Sequence, residues 1–427
     1  MNREDNKIYD LHKNELLNNL IKYILIFLTI ILSRDTLITS IKIGFNKSFI
    51  FYVIAILIVI VLLFLNNKGN IKIKYEATRN IIAFIGILAI VSIIKLDFQI
   101  YILSIIFYIS VAYLFIYLFT FDEFFQKLSN IMCVLAVISL ISLYCLKGIL
   151  FPGGIVNANM PIVANIKNLK FFDLGLSFVV ALPYYMRNFG VFREPGVYQF
   201  FLLIPLIYEL LVKKNKLRYI NIAILSITII STFSLVGVCV LGLVFTIHIL
   251  KLILEKRMTK KNIYLLLIIS TFFIIVVFSL YLTNYNFKSI LKESVKKAVT
   301  INESTSTRGL AIERNLKLFL KSPIIGNDFS KVNNEFAHNT TSTLSIFAIF
   351  GVFSGILHVI FQLKFARKVS SNKWIVALTL VGLMLMINTQ FLLGNTLFWV
   401  FTFSVFMCNE QQDSRYLRKR VFRNGEE

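Results

Sequence analysis

Residues 48–65 read SFIFYVIAILIVIVLLFL. Eighteen residues pass without a charge. A helix rises about 1.5 Å per residue, so this run covers most of the roughly 30 Å hydrocarbon core of a bilayer. Eleven other runs of similar character give candidate spans at 19–33, 80–95, 98–120, 128–146, 197–212, 217–233, 235–251, 263–283, 341–361, 374–390 and 394–408. The run 171–186, FFDLGLSFVVALPYYM, is a further apolar stretch, but it carries Asp173 and Pro183 and would spoil the alternation of loops. It reads as re-entrant or interfacial. The fold expected is an all-α integral membrane protein of about twelve transmembrane helices, forming a single polytopic domain over 1–427.

Composition agrees. Of 427 residues 57% are hydrophobic, there are 41 Phe against 2 Trp, and only 16% are charged, against about 25% in an average soluble protein. Mean hydropathy is +0.76. A soluble enzyme, a disordered chain and a disulfide scaffold are all excluded. The four cysteines, Cys133, Cys145, Cys239 and Cys408, lie in or beside apolar runs without metal-ligand or redox-pair spacing. The N-terminal MNREDNKIYDLHKNELLNN lacks a signal-peptide layout, so the first apolar run is expected to stay as a helix.

Lys and Arg fix the expected orientation. With the N-terminus inside, inner segments hold 26 of them and outer segments 18. The inner loops are dense in charge: KKNKLR at 213–218, EKRMTKK at 255–261 and RYLRKR at 415–420, the last in a cytoplasmic tail 409–427. Both termini are therefore expected in the cytoplasm of a plasma (inner) membrane protein. Two loops are long, 147–196 and 284–340, and both fall on the outer face, where short helices are expected. They carry a formal excess of +7 on the side where positive charge is normally scarce. Long loops partly escape the charge rule; an anionic ligand such as a phosphate or pyrophosphate at that surface would also account for it. The Lys and Arg residues sit mostly between apolar runs, so the net charge of +23 is not a nucleic-acid signal.

Some chemistry has no support. There is no Gly-rich phosphate loop, HExxH, CxxC or DxD-type pair, so no cofactor, nucleotide or metal is expected. The spans hold almost no charge. His248 and His358 lie far from acidic partners in sequence and read as packed or snorkelling residues.

Three outer-face motifs hold the chemistry. The first is RNFGVFREPGVYQFF, 187–201. Pro195 suits a first helical position and Glu194 the cap before it. Arg187 and Arg193 flank that helix start, a ready anion site with a fork geometry suited to phosphate. The second is STSTRGLAIERNLKLFLKSPIIGND, 304–328. It reads as a short amphipathic helix ended at Pro323 and turned at Gly326. Arg308 falls near the apolar face, which suits a snorkelling side chain and equally one aimed at a lipid headgroup. The third is FAHNTTSTLSIFAIFGVFSG, 336–355, with His338 and Asn339 at the mouth of a span. A helix N-terminus favours a neutral imidazole there, able to act as a general base; a His at a helix start is also an ordinary capping neighbour.

In order and spacing, these pieces resemble the O-antigen polymerase and ligase superfamily, of the Wzy and WaaL types. The loop R-x-x-G-x-F-x-E-P-G is matched by Arg187, Gly190, Phe192, Glu194, Pro195 and Gly196. The later pattern is matched by Thr307-Arg308, Pro323, Gly326 and His338-Asn339. STFSLVG at 231–237 resembles the family's T-x-S segment, with Leu235 where an Arg often follows, and Asp328 stands where a second Gly is common.

The resemblance implies a GT-C-like membrane glycosyltransferase working on undecaprenyl-pyrophosphate-linked oligosaccharides without nucleotide or metal. A polymerase would move the growing glycan en bloc to a sugar hydroxyl of another lipid-linked repeat unit. His338, then Glu194, would be the catalytic base. Arg187, Arg193, Arg308 and Asn339 would bind the pyrophosphate. Partners implied are the bilayer, a flippase and a chain-length regulator, with no nucleic acid. The alternatives are an O-antigen ligase of the same superfamily and a non-enzymatic lipid-linked glycan flippase.

Overall fold

The computed structural model describes residues 3–33, 35–39, 45–66, 75–95, 100–146, 162–166, 169–173, 176–181, 186–213, 218–255, 303–329, 332 and 340–408. The helices are α1 (Arg3–Ile31), α2 (Phe45–Asn66), α3 (Tyr75–Ile94), α4 (Ile100–Leu118), α5 (Phe121–Leu146), α6 (Pro195–Ile207), α7 (Tyr219–Ser231), α8 (Leu235–Leu254), α9 (Glu303–Lys321), α10 (Thr343–Val369), α11 (Lys373–Ile387) and α12 (Thr396–Phe403). All but α9 fall on the apolar runs of the sequence. The run 263–283 and the tail 409–427 lie outside the described residues. Among the described residues six helices are long and apolar enough to cross a membrane: Tyr75–Ile94, Tyr101–Leu118, Phe121–Leu143, Pro195–Val212, Val236–Leu254 and Thr343–Val369. The remaining apolar helices are shorter.

Burial sorts these helices. Every residue of α6 is buried, as befits a helix that is apolar on all sides. It continues through a π turn at Tyr208–Val212. Outer helices instead expose large side chains: Ile54, Leu57, Ile58, Val61 and Leu62 on α2, and Ile82, Ile90 and Ile93 on α3. Such rows are at home in hydrocarbon and would be costly in water. The core is rich in aromatics, with Phe84, Phe361, Trp399 and Phe403 packed ring to ring at 5.5–6.1 Å.

The loop before α6 differs from expectation. Its described residues form an antiparallel meander: β1 (Ile162–Ile166), β2 (Leu169–Asp173), β3 (Phe178–Ala181) and β4 (Met186–Gly190), in that order across the sheet. The run 171–186, read as re-entrant or interfacial, supplies β3 and parts of β2 and β4. Gly175 and Pro183 punctuate it too closely for a helix, and Phe178, Val179 and Val180 favour an extended chain. Hydrocarbon does not satisfy the edges of an open sheet, so the meander belongs outside it. The fold is thus mostly helical, in keeping with the expected all-α membrane class, with one small sheet among the described residues.

Contacts between helix ends segregate into two sets. On one side, the loop after α1 bonds to residues 191–193 and to Asn395; the end of α3 meets residues 327 and 349; the start of α4 stacks on Phe329; and β4 meets the end of α7. On the other side Lys22 of α1 pairs with Glu123 of α5, Lys364 of α10 pairs with Glu76 of α3, and Lys251 of α8 donates to the Leu211 and Val369 carbonyls. Among the described helices α1, α3, α5 and α7 therefore run toward the first side, and α4, α6, α8 and α10 toward the second.

Candidate functional site

The first set of ends forms the face that gathers the sequence motifs. Its centre is the start of α6. Glu194 is the N-cap by backbone geometry (φ −143°, ψ 144°), and its carbonyl accepts from the Val197 and Tyr198 amides at 3.1 Å. Its side chain makes no capping bond and is exposed. A carboxylate left open beside a helix start remains available to a ligand or a proton.

Arg193 is held on the same turn. Its Nη2 lies 3.1 Å from Asp35 Oδ1, and its backbone amide donates to the Asp35 carbonyl at 2.8 Å. Asp35 is buried and also accepts from Asn395 Nδ2 at 3.0 Å. A bridge between Thr36 and Phe192 and a bond from the Leu37 amide to the Val191 carbonyl fix the chain around the pair. The Asp35 carboxylate raises the Arg193 guanidinium above its ordinary pKa, against the lowering effect of burial. Arg193 is therefore a permanent, oriented charge.

Arg187 leaves β4 in another direction. Its Nε donates to the Thr232 carbonyl at 3.1 Å and its Nη2 to the Phe233 carbonyl at 3.3 Å. Those carbonyls close α7, and Phe233 sits at φ +48°, rare for a residue with a side chain. The guanidinium fork holds that turn, so the first motif and the STFSLVG segment are joined. Asn188 strengthens the joint: its Nδ2 donates to Ser139 Oγ and Ser231 Oγ at 3.0 Å, and its Oδ1 accepts from the Gly190 amide at 2.9 Å. Gly190, at φ +54°, lies against the Tyr198 ring, where a Cβ would come within 2.6 Å.

The second and third motifs meet at α10. Asn315 of α9 is buried and donates from Nδ2 to Thr341 Oγ1 at 2.6 Å, just ahead of α10. The SPIIGND turn docks into a break in α10. Gly351 stands at φ 76°, ψ −175° inside the helix, and the Val352 amide donates to the Pro323 carbonyl at 2.8 Å. The Asn327 amide donates to the Ala348 carbonyl at 2.7 Å. The Lys95 ammonium closes the break by donating to the Asn327 carbonyl at 2.9 Å and to that of Ile349. Backbones approach so closely that a Cβ on Gly351 would lie 2.0 Å from the Ile324 oxygen, and one on Gly326 2.3 Å from the Ile349 oxygen. The two glycines of this pattern are steric requirements.

The loop 388–395 joins the two halves of the face. Asn388 Oδ1 caps α10 by accepting from the Thr343 and Leu344 amides at 3.0 and 3.3 Å. Ser342 Oγ donates to the Gln390 carbonyl and accepts from the Leu392 amide at 2.9 Å. The Gln390 side chain covers Gly196, where a Cβ would lie 1.9 Å from its Nε2. Asn395 caps α12 through the Leu397 amide at 3.0 Å.

Four of the helices that begin on this face, α6, α8, α10 and α12, differ in their caps. α10 and α12 have side-chain caps, whereas α6 and α8 have none. The uncapped pair are neighbours: Gln199 of α6 lies against Gly237 in the first turn of α8, where a Cβ would meet its Oε1 at 2.1 Å. Gln199 is fully buried, and neither amide atom has a hydrogen-bond partner among the described residues. Two adjoining helix starts whose N-cap side chains make no capping bond present the positive ends of their dipoles together.

Of the expected site residues, Arg187, Arg193 and Glu194 are placed on this face. Arg308 lies on α9 by its backbone, one helical stretch before Asn315; its side chain lies outside the described part of the chain. His338 and Asn339 lie outside the described residues. The sequence reading missed Asp35, Lys95, Gln390 and Asn395. Their signal was present but small: single polar residues at or beside the ends of apolar runs.

Comparison with protein-family models, with curated proteins and with solved structures finds no match for this chain.

Proposed function

We propose that this chain is a polysaccharide polymerase, a membrane glycosyltransferase of the kind its motifs resemble, acting on O-antigen or capsule repeat units. It transfers a growing glycan en bloc from undecaprenyl pyrophosphate to a sugar hydroxyl of another lipid-linked repeat unit. In this reading twelve helices cross the plasma membrane, both termini are cytoplasmic, and the site face looks into the periplasm or the extracellular space. A flippase would deliver its substrate, and a chain-length regulator would set its product.

One observation carries the reading. Segments far apart in sequence, 187–196, 231–237, 322–328 and 340–345, meet on one face, where two uncapped helix starts lie beside two arginines. That arrangement suits a pyrophosphate. Departure of undecaprenyl pyrophosphate builds negative charge, which fixed N–H dipoles and guanidinium groups stabilise without reorganising. Arg193 contributes the part of its charge that Asp35 does not neutralise. Arg187 acts through the turn it holds, and Arg308 supplies a further positive charge. Pyrophosphate leaves readily, so the remaining need is a base for the attacking hydroxyl. His338 is assigned first, with Glu194, open and uncapping, second. Attack opposite the leaving group inverts the anomeric centre.

The test is complementation of a polymerase-null strain carrying the matching glycan cluster. Wild type, His338→Ala, Arg187→Ala and Arg308→Ala are compared by glycan gel at matched membrane expression. The expected result is a long ladder for wild type, collapsing to one repeat unit in the variants. Full ladders from all three variants would overturn the mechanism. A single repeat without a ladder in wild type would point to a ligase or a flippase.

A further inference from the structure

Helix α10 carries a second polar feature, within the bundle and separate from the site face. Beyond the break at Gly351, Ser354, His358 and Gln362 follow at intervals of four residues and so share one side of the helix. All three are buried, at 0%, 0% and 1% exposure. Ser354 Oγ, both ring nitrogens of His358 and Gln362 Oε1 have no hydrogen-bond partner among the described residues. Gln362 Nε2 reaches Thr402 Oγ1 of α12 at 3.4 Å. The His358 ring lies against Phe398 and Trp399, with centroids 5.6 and 6.4 Å away. The Trp399 indole N–H is committed to the Leu393 carbonyl at 3.0 Å.

Helical hydroxyls elsewhere in the chain bond back to the carbonyl four residues earlier: Thr29 to Leu25, Ser92 to Leu88, Thr379 to Ile375 and Thr402 to Phe398. For Ser354 that carbonyl belongs to Phe350, on the far side of the Gly351 break, which removes the usual outlet. Buried polar atoms are costly without partners, and four on one stripe is a concentration that packing alone does not explain.

The donor and acceptor inventory identifies the partner. A neutral imidazole offers one N–H and one lone pair, a serine hydroxyl offers both, and Gln362 Oε1 only accepts. A cation would leave the N–H groups unmet, and an anion would leave the acceptors unmet. The partner must donate and accept, carry no charge, and fit between packed helices. We infer that α10 and α12 enclose a file of bound water along Ser354, His358 and Gln362. Such a file makes His358 reachable by solvent protons inside the membrane domain. The inference is independent of the glycosyltransferase reading.

Water itself is the probe. X-ray radiolysis of the purified wild-type protein in detergent generates hydroxyl radicals from bound water, and mass spectrometry reads oxidation residue by residue. Phe398, Phe84 and Phe125 are all fully buried and chemically identical. Oxidation of Phe398 and His358 several-fold faster than of Phe84 and Phe125 is expected. Equal rates would overturn the inference. A second measurement replaces the stripe with apolar side chains, Ser354→Ala, His358→Leu and Gln362→Leu together. A dry stripe would gain thermal stability from the exchange, and that result would also overturn the inference. A hydrated stripe loses its water bonds, so a lower melting temperature is expected.

Discussion

The Arg193 guanidinium and the Asp35 carboxylate form an ion pair, Nη2 to Oδ1 3.1 Å, that ties the loop after α1 to the start of α6. Asp35 is buried and serves Asn395 as well, so it anchors three segments at once. Asp35→Ala should leave a cation and an amide without their acceptor. Part of Arg193 reaches solvent, which moderates the cost to about 2 kcal/mol. Thermal unfolding in detergent checks this. The double variant with Arg193→Ala should be less unstable than the two single losses added together. Simple additivity would show that the pair is not coupled.

The contact between Gly196 and Gln390 gives a second expectation. A Cβ at position 196 would overlap the Gln390 amide, since the gap is 1.9 Å. Both residues are buried, so the amide has little room to retreat. Gly196→Ala should cost about 1–3 kcal/mol through overpacking and shorten the glycan ladder. Adding Gln390→Ala should restore much of the loss. Rescue tests the contact itself, since a backbone defect at the helix start would not respond to a change on another loop.

The break in α10 yields a third. Gly351 combines a left-handed φ of 76° with an Ile324 oxygen 2.0 Å from the place of a Cβ. Neither problem can be relieved by a side-chain rotation, because the neighbour is backbone. Gly351→Ala should therefore lower stability by roughly 3 kcal/mol or more. Lys95→Met keeps the length of the side chain but strands the Ile349 and Asn327 carbonyls, at a cost of about 1–3 kcal/mol. Both are read as melting temperatures of the purified protein.

Much of this architecture is legible in the sequence because membrane helices are read by length and apolarity alone. The runs at 80–95, 98–120, 197–212 and 235–251 predict helices α3, α4, α6 and α8 to within a few residues. The meander before α6 is not legible in the same way. Residues 171–186 are apolar enough to pass for membrane, and only Gly175 and Pro183 betray the strands. The roles of Arg187 and Arg193 were half visible. Their charge and position at a helix start follow from sequence, but the carbonyls of Thr232 and Phe233 and the carboxylate of Asp35 are long-range partners. The break at Gly351 was hidden because FAIFGVFSG carries no proline or charge, and a lone glycine in an apolar run does not announce that another backbone will dock on it.

Glu194 separates structure from chemistry most sharply. It occupies the N-cap of α6, yet its side chain makes no capping bond and faces outward. Glu194→Gln changes charge without changing shape, so stability should move by no more than about 0.5 kcal/mol. If the carboxylate takes the proton of the acceptor hydroxyl, transfer should slow by about 10²–10⁴-fold. If His338 alone is the base, the loss should be far smaller, because an exposed amide still supplies a hydrogen bond. The measurement is the rate of polymer formation by purified protein on lipid-linked repeat units, with melting temperature as the control. A deep loss of rate at unchanged melting temperature assigns Glu194 to the chemistry, and an unchanged rate removes it from the mechanism.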